Sequence, residues 1–431
     1  AQYWFWSQSF EFGYFSKPPL LSWLIGIVSS FFGSGFLVLK TIPIITYCIT
    51  PVVVYFISIR INKDNSLALL TSISFFLIPA VSVSSFIIST DILLLLFWSL
   101  SLLQLLNIKN TPSAINFILL GIFIGLAFLA KYAAIYFFLC LVVFSFEKSM
   151  RKIFNNNKKN TLLFLVSFLI VVAPNIIWNI ENEWTTILHI ADNAALNNIN
   201  LSFFRAAEFL LSQVIMVGPL SFLFFVFFIL KRQSLDFGAK FLLAFSLPVL
   251  IIILIESLFV RANANWAAVS LVSLLILFVH TIYFFNKHLL YINNVANLFL
   301  GLLFFYFIAT NSQLKAFDRI NGISSFSHSL EKNYLKNIDN IVISDRMLFA
   351  NLAYTFRNKN VFFYSPFVSG NKAGHHFQLS NPLKKDFDKD FIFIGDINEI
   401  YYLKNSYKTK LKDTKRVGFS NEVIQIHEVL F

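Results

Sequence analysis

The sequence predicts a polytopic α-helical membrane protein that carries a small soluble α/β domain at its C-terminal end. Three observations predict it. Of 431 residues, 57% are hydrophobic and only 13% are charged, a balance that water-soluble domains do not reach. Apolar runs of roughly 20 residues, long enough to cross a bilayer, recur up to about residue 309. Past about residue 311 charges become frequent, and the apolar residues shorten into β-type runs.

The runs place about ten spans, near 36–58, 66–86, 90–107, 114–130, 132–146, 161–179, 206–230, 239–259, 265–285 and 289–309. Lysine and arginine set their orientation, because they accumulate on the cytoplasmic side. Arg60/Lys63, Lys109, Lys148/Arg151/Lys152/Lys158/Lys159, Lys231/Arg232 and Lys287 occupy every second connection. Those connections are expected to face the cytoplasm. The opening stretch, the alternate connections and everything after residue 310 then face outward. The net charge of +12 sits largely in these loops, so it is no nucleic-acid signature. Cys48 and Cys140 lie inside apolar runs, which suggests neither a disulfide framework nor a zinc site.

Three divisions are expected: 1–35, a first outer loop with interfacial helices; 36–310, the transmembrane part; and 311–431, a periplasmic α/β domain. Trp4, Trp6, Tyr14 and Trp23 are residue types that favour a membrane–water interface. Lys17-Pro18-Pro19 puts a cation on a stiff extended turn, and Leu20–Phe32 is too short for a span, so it reads as an interfacial or re-entrant helix. Lys17 fits two readings, a partner for a lipid phosphate or a snorkelling lysine at a helix end. The sequence starts without Met and without a leading basic segment, and an N-terminal truncation that removes the preceding span is expected.

In the last part, Asn340–Ser344, Val361–Ser365, Phe391–Gly395 and Val423–Val429 read as strands, and Arg346–Arg357 has helical spacing. A strand–helix–strand start follows, without a glycine-rich phosphate loop. His375 and His376 point in different directions on either a helix or a strand, which favours a surface loop over a metal site.

Ionisable groups in or beside spans need a partner or water. Asp91 follows Ser89-Thr90 and reads more simply as a helix cap than as an outer-cavity acid. Lys131-Tyr132 breaks an apolar run with little solvent available, which calls for an anionic partner. Asn175, Asn179 and His189 begin the largest outer loop, where the asparagines and the histidine suit a polar cavity; His189 alone reads as a hydrogen-bonded loop residue. Gln213 with Gly218-Pro219 reads as a kink that hydrates a helix. Arg261, near Asn263 and Asn265, runs against the charge bias of the outer side. Lys17, Asp91, Lys131, His189 and Arg261 all map outward. A cavity with several cations and few acids suits an amphiphilic, anionic ligand such as a lipid-linked phosphate.

These residues carry a resemblance. YWFWSQSFEFGYFSKPPLLSWLI resembles the first outer loop of the GT-C glycosyltransferases of the dolichyl-phosphate-mannose:protein mannosyltransferase type, family 39. Its bacterial relatives include the aminoarabinose transferase that modifies lipid A. STDILLLLFWSLSLL, GIFIGLAFLAKYAAI, APNIIWNIENEWTTILH, SQVIMVGPLSF and NANWAA follow as similar blocks in the family's order. The resemblance covers roughly residues 1–310. It implies a polyprenyl-phosphate sugar donor used on the outer face of the inner membrane, and an inverting transfer to a glycolipid or protein. It places Lys17, Lys131 and Arg261 at the donor phosphate, and Tyr14, Tyr132, Asn175, His189 and Asn265 in the substrate cavity. Asp91 becomes an outer-cavity acid with a candidate catalytic role. The acidic pair that deprotonates the acceptor in relatives would precede Ala1, and Glu11 does not occupy its position. Ser16 stands where relatives have an acid or a histidine, so no metal ligand is assigned, and a divalent metal stays open as a cofactor. The competing readings are a lipid or solute transporter and a truncated, inactive family member. No convincing repeat supports the transporter.

Overall fold

A computed structural model describes the chain apart from residues 194–199, 219–234, 311–321, 336–337, 369, 371 and 417–422. Two compact units are formed. One is Lys17–Tyr306; the other joins Ala1–Ser16 to Phe307–Phe431. The opening stretch, read from sequence as one loop through residue 35, therefore divides between them.

The second unit begins with α1 (Gln2–Trp6). The helical unit begins with α2 (Leu20–Phe32), which stops at Gly33 with φ 78°, a left-handed conformation that glycine adopts without steric cost. α3 (Phe36–Asn62) is a 27-residue span. The expected 66–86 run is divided into α4 (Asn65–Leu77) and α5 (Pro79–Ser84), because Pro79 lacks the N–H that would continue the ladder. α6 (Thr90–Asn110) and α7 (Ala114–Ala130) follow. A 3-10 turn, Tyr132–Ile135, leads into α8 (Tyr136–Phe144). The basic α9 (Lys148–Asn156) is bent 104° from that segment.

α10 (Lys158–Glu181), α11 (Thr185–Asn193) and α12 (Phe203–Val217) come next. Pro219 and the remainder of the expected 206–230 span lie outside the described residues. α13 (Phe237–Ala244) starts on an Asp236 cap, and α14 (Leu247–Phe259) follows after a short break. The 42-residue α15 (Ala268–Ala309) is interrupted at Asn286, where φ −163° and ψ 103° leave the helical region. Asn286 Oδ1 accepts the His288 N–H at 3.0 Å and so starts the second half.

Among the described residues, five helical segments are long and apolar enough to cross a membrane, or six if the bent pair counts as one. Fewer than the expected ten reach that length for physical reasons. Pro79 divides one run, Ala114–Ala130 stops at 17 residues, and the runs expected at 265–285 and 289–309 follow each other in α15 across its break at Asn286.

One crossing is unusually tight. Gly121 and Gly125 on α7 face α10, where an added Cβ would sit 2.3 Å from the Phe164 carbonyl oxygen and 2.7 Å from Val171 Cγ1. The pair forms a GxxxG pattern, which lets helix backbones approach closely in a membrane. Ser167 Oγ adds a hydrogen bond across the crossing to the Ile118 carbonyl at 3.2 Å.

The second unit contains α16 (Ile323–Tyr334), β1 (Asn340–Ile343), α17 (Arg346–Thr355), β2 (Phe362–Pro366), α18 (His376–Ser380), β3 (Pro382–Leu383), β4 (Phe391–Ile394), β5 (Lys408–Arg416) and β6 (Val423–Leu430). Its sheet runs β3-β2-β1-β4-β6-β5. The first four strands are parallel, and β6 and β5 are antiparallel additions. The parallel strand–helix–strand start agrees with the sequence reading. Two expectations are corrected. Trp6 and Tyr14 are not interface anchors: they are buried in this unit's core with Phe349 and Phe377, their rings stacked 5.0 Å apart. The histidine pair is not a surface loop either. His376 is buried against Trp6 and Tyr14 at 5.2 and 5.5 Å, where its ring packs with other aromatic rings of the core.

Candidate functional site

Three separate connections of the helical unit meet in one polar cluster. Asp91 lies in the first turn of α6, and Ser89 in extended conformation is the N-cap. Lys131 is the extended residue that ends α7. Asn265 belongs to a 3-10 turn, Ala264–Ala267, just before α15. Lys131 Nζ donates to Asp91 Oδ1 at 2.6 Å, and Asn265 Nδ2 donates to Asp91 Oδ2 at 2.9 Å. The ammonium also reaches the Asn265 carbonyl at 3.4 Å. Both partners of the ion pair are mostly withdrawn from solvent, at 14% and 13% side-chain exposure.

This geometry corrects the cap reading of Asp91. Its carboxylate does not cap α6; both its oxygens bind groups from elsewhere in the chain. It also answers the expectation that Lys131 needs an anion, since the protein supplies one itself. A buried pair loses much of its hydration, so its value depends on geometry and on further hydrogen bonds, and Asn265 supplies one.

A second network adjoins the first through the chain itself. Tyr132, next to Lys131, donates its hydroxyl proton to Asn175 Oδ1 at 2.9 Å. Asn179 Nδ2 lies 3.2 Å from the same hydroxyl and 2.8 Å from the Asn175 carbonyl. Asn175 and Asn179 are both 2% exposed. The tight α7–α10 crossing sets the distance between Tyr132 and these asparagines.

Supporting contacts hold the frame. Gln213 on α12 donates to the Ala264 carbonyl at 3.0 Å, so it steadies the turn that carries Asn265 instead of merely hydrating a helix. Arg205 caps α14 by donating to the Leu258 and Phe259 carbonyls at 3.5 and 3.2 Å. Lys40, inside α3, donates to the Phe86 carbonyl in the segment that leads to Asp91. Sequence reasoning missed Arg205 and Lys40; for Lys40 the signal was a cation inside an expected span.

The other predicted residues are placed as follows. Lys17 is a partly buried β-bridge residue shortly before α2, His189 is partly buried on α11, and Arg261 is exposed just after α14. Tyr14 is fully buried in the core of the second unit, and its hydroxyl donates to the Trp6 carbonyl at 2.8 Å. The structure thus brings together Asp91, Lys131 and Asn265, and separately Tyr132 and Asn175. Among the described residues, no three His, Cys, Asp or Glu side chains group as metal ligands.

Known proteins bear on this arrangement. The sequence profile of the dolichyl-phosphate-mannose-protein mannosyltransferase family matches residues 16–178, which include Lys17, Asp91, Lys131, Tyr132 and Asn175. The lipid A galacturonosyltransferase RgtD of Rhizobium johnstonii is 27% identical over 412 residues, covering 92% of this chain and 85% of that protein. ArnT of Cupriavidus metallidurans in the apo state shares the fold, with TM-score 0.67 at 12% identity over 96% of this chain and 88% of that one. The same protein bound to undecaprenyl phosphate matches with TM-score 0.67 at 11% identity and the same coverage. Family profile, curated relative and shared fold agree in supporting a membrane glycosyltransferase, one that is similar to those of the GT-C type.

Proposed function

We propose that the protein moves a sugar from a polyprenyl-phosphate carrier to a lipid A-like glycolipid on the outer face of the inner membrane. One observation carries the reading: Lys131 donates to Asp91, whose other oxygen is held by Asn265, at the ends of apolar helices. The names of the relatives support the donor and acceptor classes, since one modifies lipid A and another was solved with undecaprenyl phosphate.

In this reading the acceptor oxygen attacks the anomeric carbon on the side opposite the phosphate. The new glycosidic bond forms as the glycosyl–phosphate bond breaks, the acceptor proton passes to a carboxylate, and the carrier phosphate departs with the bonding electrons. Negative charge therefore grows on the phosphate, and a fixed cation in a poorly hydrated place stabilises it. An ammonium has three protons to donate. Asp91 takes one, the Asn265 carbonyl lies near a second, and the third is assigned to a phosphate oxygen. Asp91 is then a positioning residue that aims Lys131. Lys17 and Arg261 are assigned as further cations for the carrier, and Tyr132, Asn175, Asn265 and His189 as lining for sugar or acceptor.

Membranes containing the protein and a radiolabelled polyprenyl-phosphate sugar test the proposal, with lipid A and a peptide as alternative acceptors. Label appearing on lipid A, and lost in Lys131→Ala, is the expected result. Label on the peptide alone would overturn the acceptor class, and no transfer to either acceptor would overturn the reading.

A further inference from the structure

At the opposite end of α6 from Asp91 lies a second polar place that the transfer reaction does not use. Lys109 is 18 residues further along that helix, so it sits about 27 Å away at 1.5 Å per residue, roughly one hydrocarbon thickness. It shares a cavity of about 240 Å³ with Arg60, Asp236, Phe237 and Gly238. Arg60 is in the last turn of α3 and Lys109 in the last turn of α6. Both helices belong to the set whose ends carry the expected cytoplasmic charges.

The cavity has the chemistry of an anion site. Among the described residues its lining has two cations and one acid, Asp236. That carboxylate is already engaged, accepting the Ala239 N–H at 2.7 Å. Glu147, the other acid within electrostatic range of Lys109, is likewise engaged by the Ser149 N–H at 2.6 Å. Lys109 lies over the Phe237 ring, 3.1 Å from its centroid, which directs the ammonium without neutralising it. The walls are fixed in place: a Cβ on Gly238 would sit 2.5 Å from Ile61 Cγ2, so α13 and α3 are in close contact there.

The surroundings favour a lipid over a dissolved ion. Val52, Phe56 and Arg60 follow one another at i, i+4 spacing on α3, and all three are exposed. Residues so spaced share one helix face, so an apolar track leads along the span to the guanidinium. We propose that this cavity binds the phosphodiester headgroup of an anionic glycerophospholipid, with an acyl chain along Val52 and Phe56. Neither carboxylate is paired with Arg60 or Lys109 by a hydrogen bond among the described residues, so both cations are oriented to receive the singly charged phosphodiester. Basic pockets between spans at the cytoplasmic surface recognise headgroups by this arrangement.

Native mass spectrometry of the detergent-solubilised full chain tests it, using phosphatidylglycerol, phosphatidylcholine and inorganic phosphate as probes. The wild type is expected to retain phosphatidylglycerol at least tenfold better than phosphatidylcholine. Arg60→Gln and Lys109→Gln are each expected to weaken that retention about fivefold, and the double variant about 30-fold. Lys109→Arg, which keeps the charge, is expected to retain the lipid, which separates loss of charge from loss of packing. Equal retention of the two lipids by the wild type, or retention unchanged in both single variants, overturns the proposal. Displacement of phosphatidylglycerol by an equal concentration of inorganic phosphate overturns the lipid as the source. Sugar transfer plays no part in the readout, so the result is independent of the assigned activity.

Discussion

At the scale of residues, the Asp91–Lys131–Asn265 cluster invites a quantitative test. Removing one partner of a largely buried pair leaves a charge unmatched and costs about 3–5 kcal/mol, whereas replacing both is far cheaper. Lys131→Met is therefore expected to lower the thermal midpoint more than Asp91→Leu/Lys131→Met does. A double-mutant cycle measures the difference, and additivity would show that the 2.6 Å contact contributes nothing. The polar residue types here were legible in the sequence, and so was the need of Lys131 for an anion. Their mutual identity was not, because Asp91 and Lys131 are 40 residues apart and Asn265 is 134 further on. Only tertiary packing selects that pairing over the local cap that Ser89-Thr90-Asp91 suggests.

At the scale of elements, the α7–α10 crossing holds Tyr132 against Asn175. Gly121→Ala places a methyl group 2.3 Å from the Phe164 carbonyl oxygen, so the helices must separate. Overpacking of this kind costs about 1–3 kcal/mol. Thermal denaturation should register that loss, and transfer activity should fall with it, because the Tyr132–Asn175 bond at 2.9 Å lengthens. Gly35→Ala, where the nearest atom is 3.9 Å away, is the control expected to change little. Hydropathy located most of these helices within a few residues, since long apolar runs are a strong signal. It joined α4 to α5 and anticipated no tight crossing: hydropathy averages over Pro79 and over two glycines four residues apart. The strands β1, β2, β4 and β6 were legible from their apolar runs. β5, with the sequence KTKLKDTKR, was not, because a charged edge strand carries almost no hydrophobic pattern.

At the scale of the whole molecule, the first 16 residues belong to the unit that carries the sheet. Trp6, 1% exposed, is part of that core, and Trp6→Ala is expected to destabilise the unit by about 3–5 kcal/mol, seen as loss of sheet signal at lower denaturant. The same core makes the unit sensitive to acid. Burial, and secondarily the neighbouring His375, pushes the His376 imidazole down to about 4. His375 and His427 are shifted in the same direction, chiefly by burial. Above the unfolded value of about 6.5 neither state binds the proton, and full stability is present. As pH falls from there toward 4, only the unfolded chain takes the proton, and about 3 kcal/mol is lost through His376. Denaturation midpoints between pH 7 and pH 4.5 should show this slope, and His376→Phe should flatten it. An equal slope in that variant would assign the sensitivity elsewhere. Composition could not reveal this, because aromatic residues near a membrane protein's start read equally well as interface anchors.

Binding of a sugar-free polyprenyl phosphate to the purified full chain tests most directly whether Lys131 receives the carrier's phosphate. Compared with the wild type, Lys131→Ala is expected to bind at least tenfold more weakly and Lys131→Arg nearly as tightly, with Asp91→Asn in between. Affinity unchanged in Lys131→Ala, in a protein with normal thermal stability, would contradict the account.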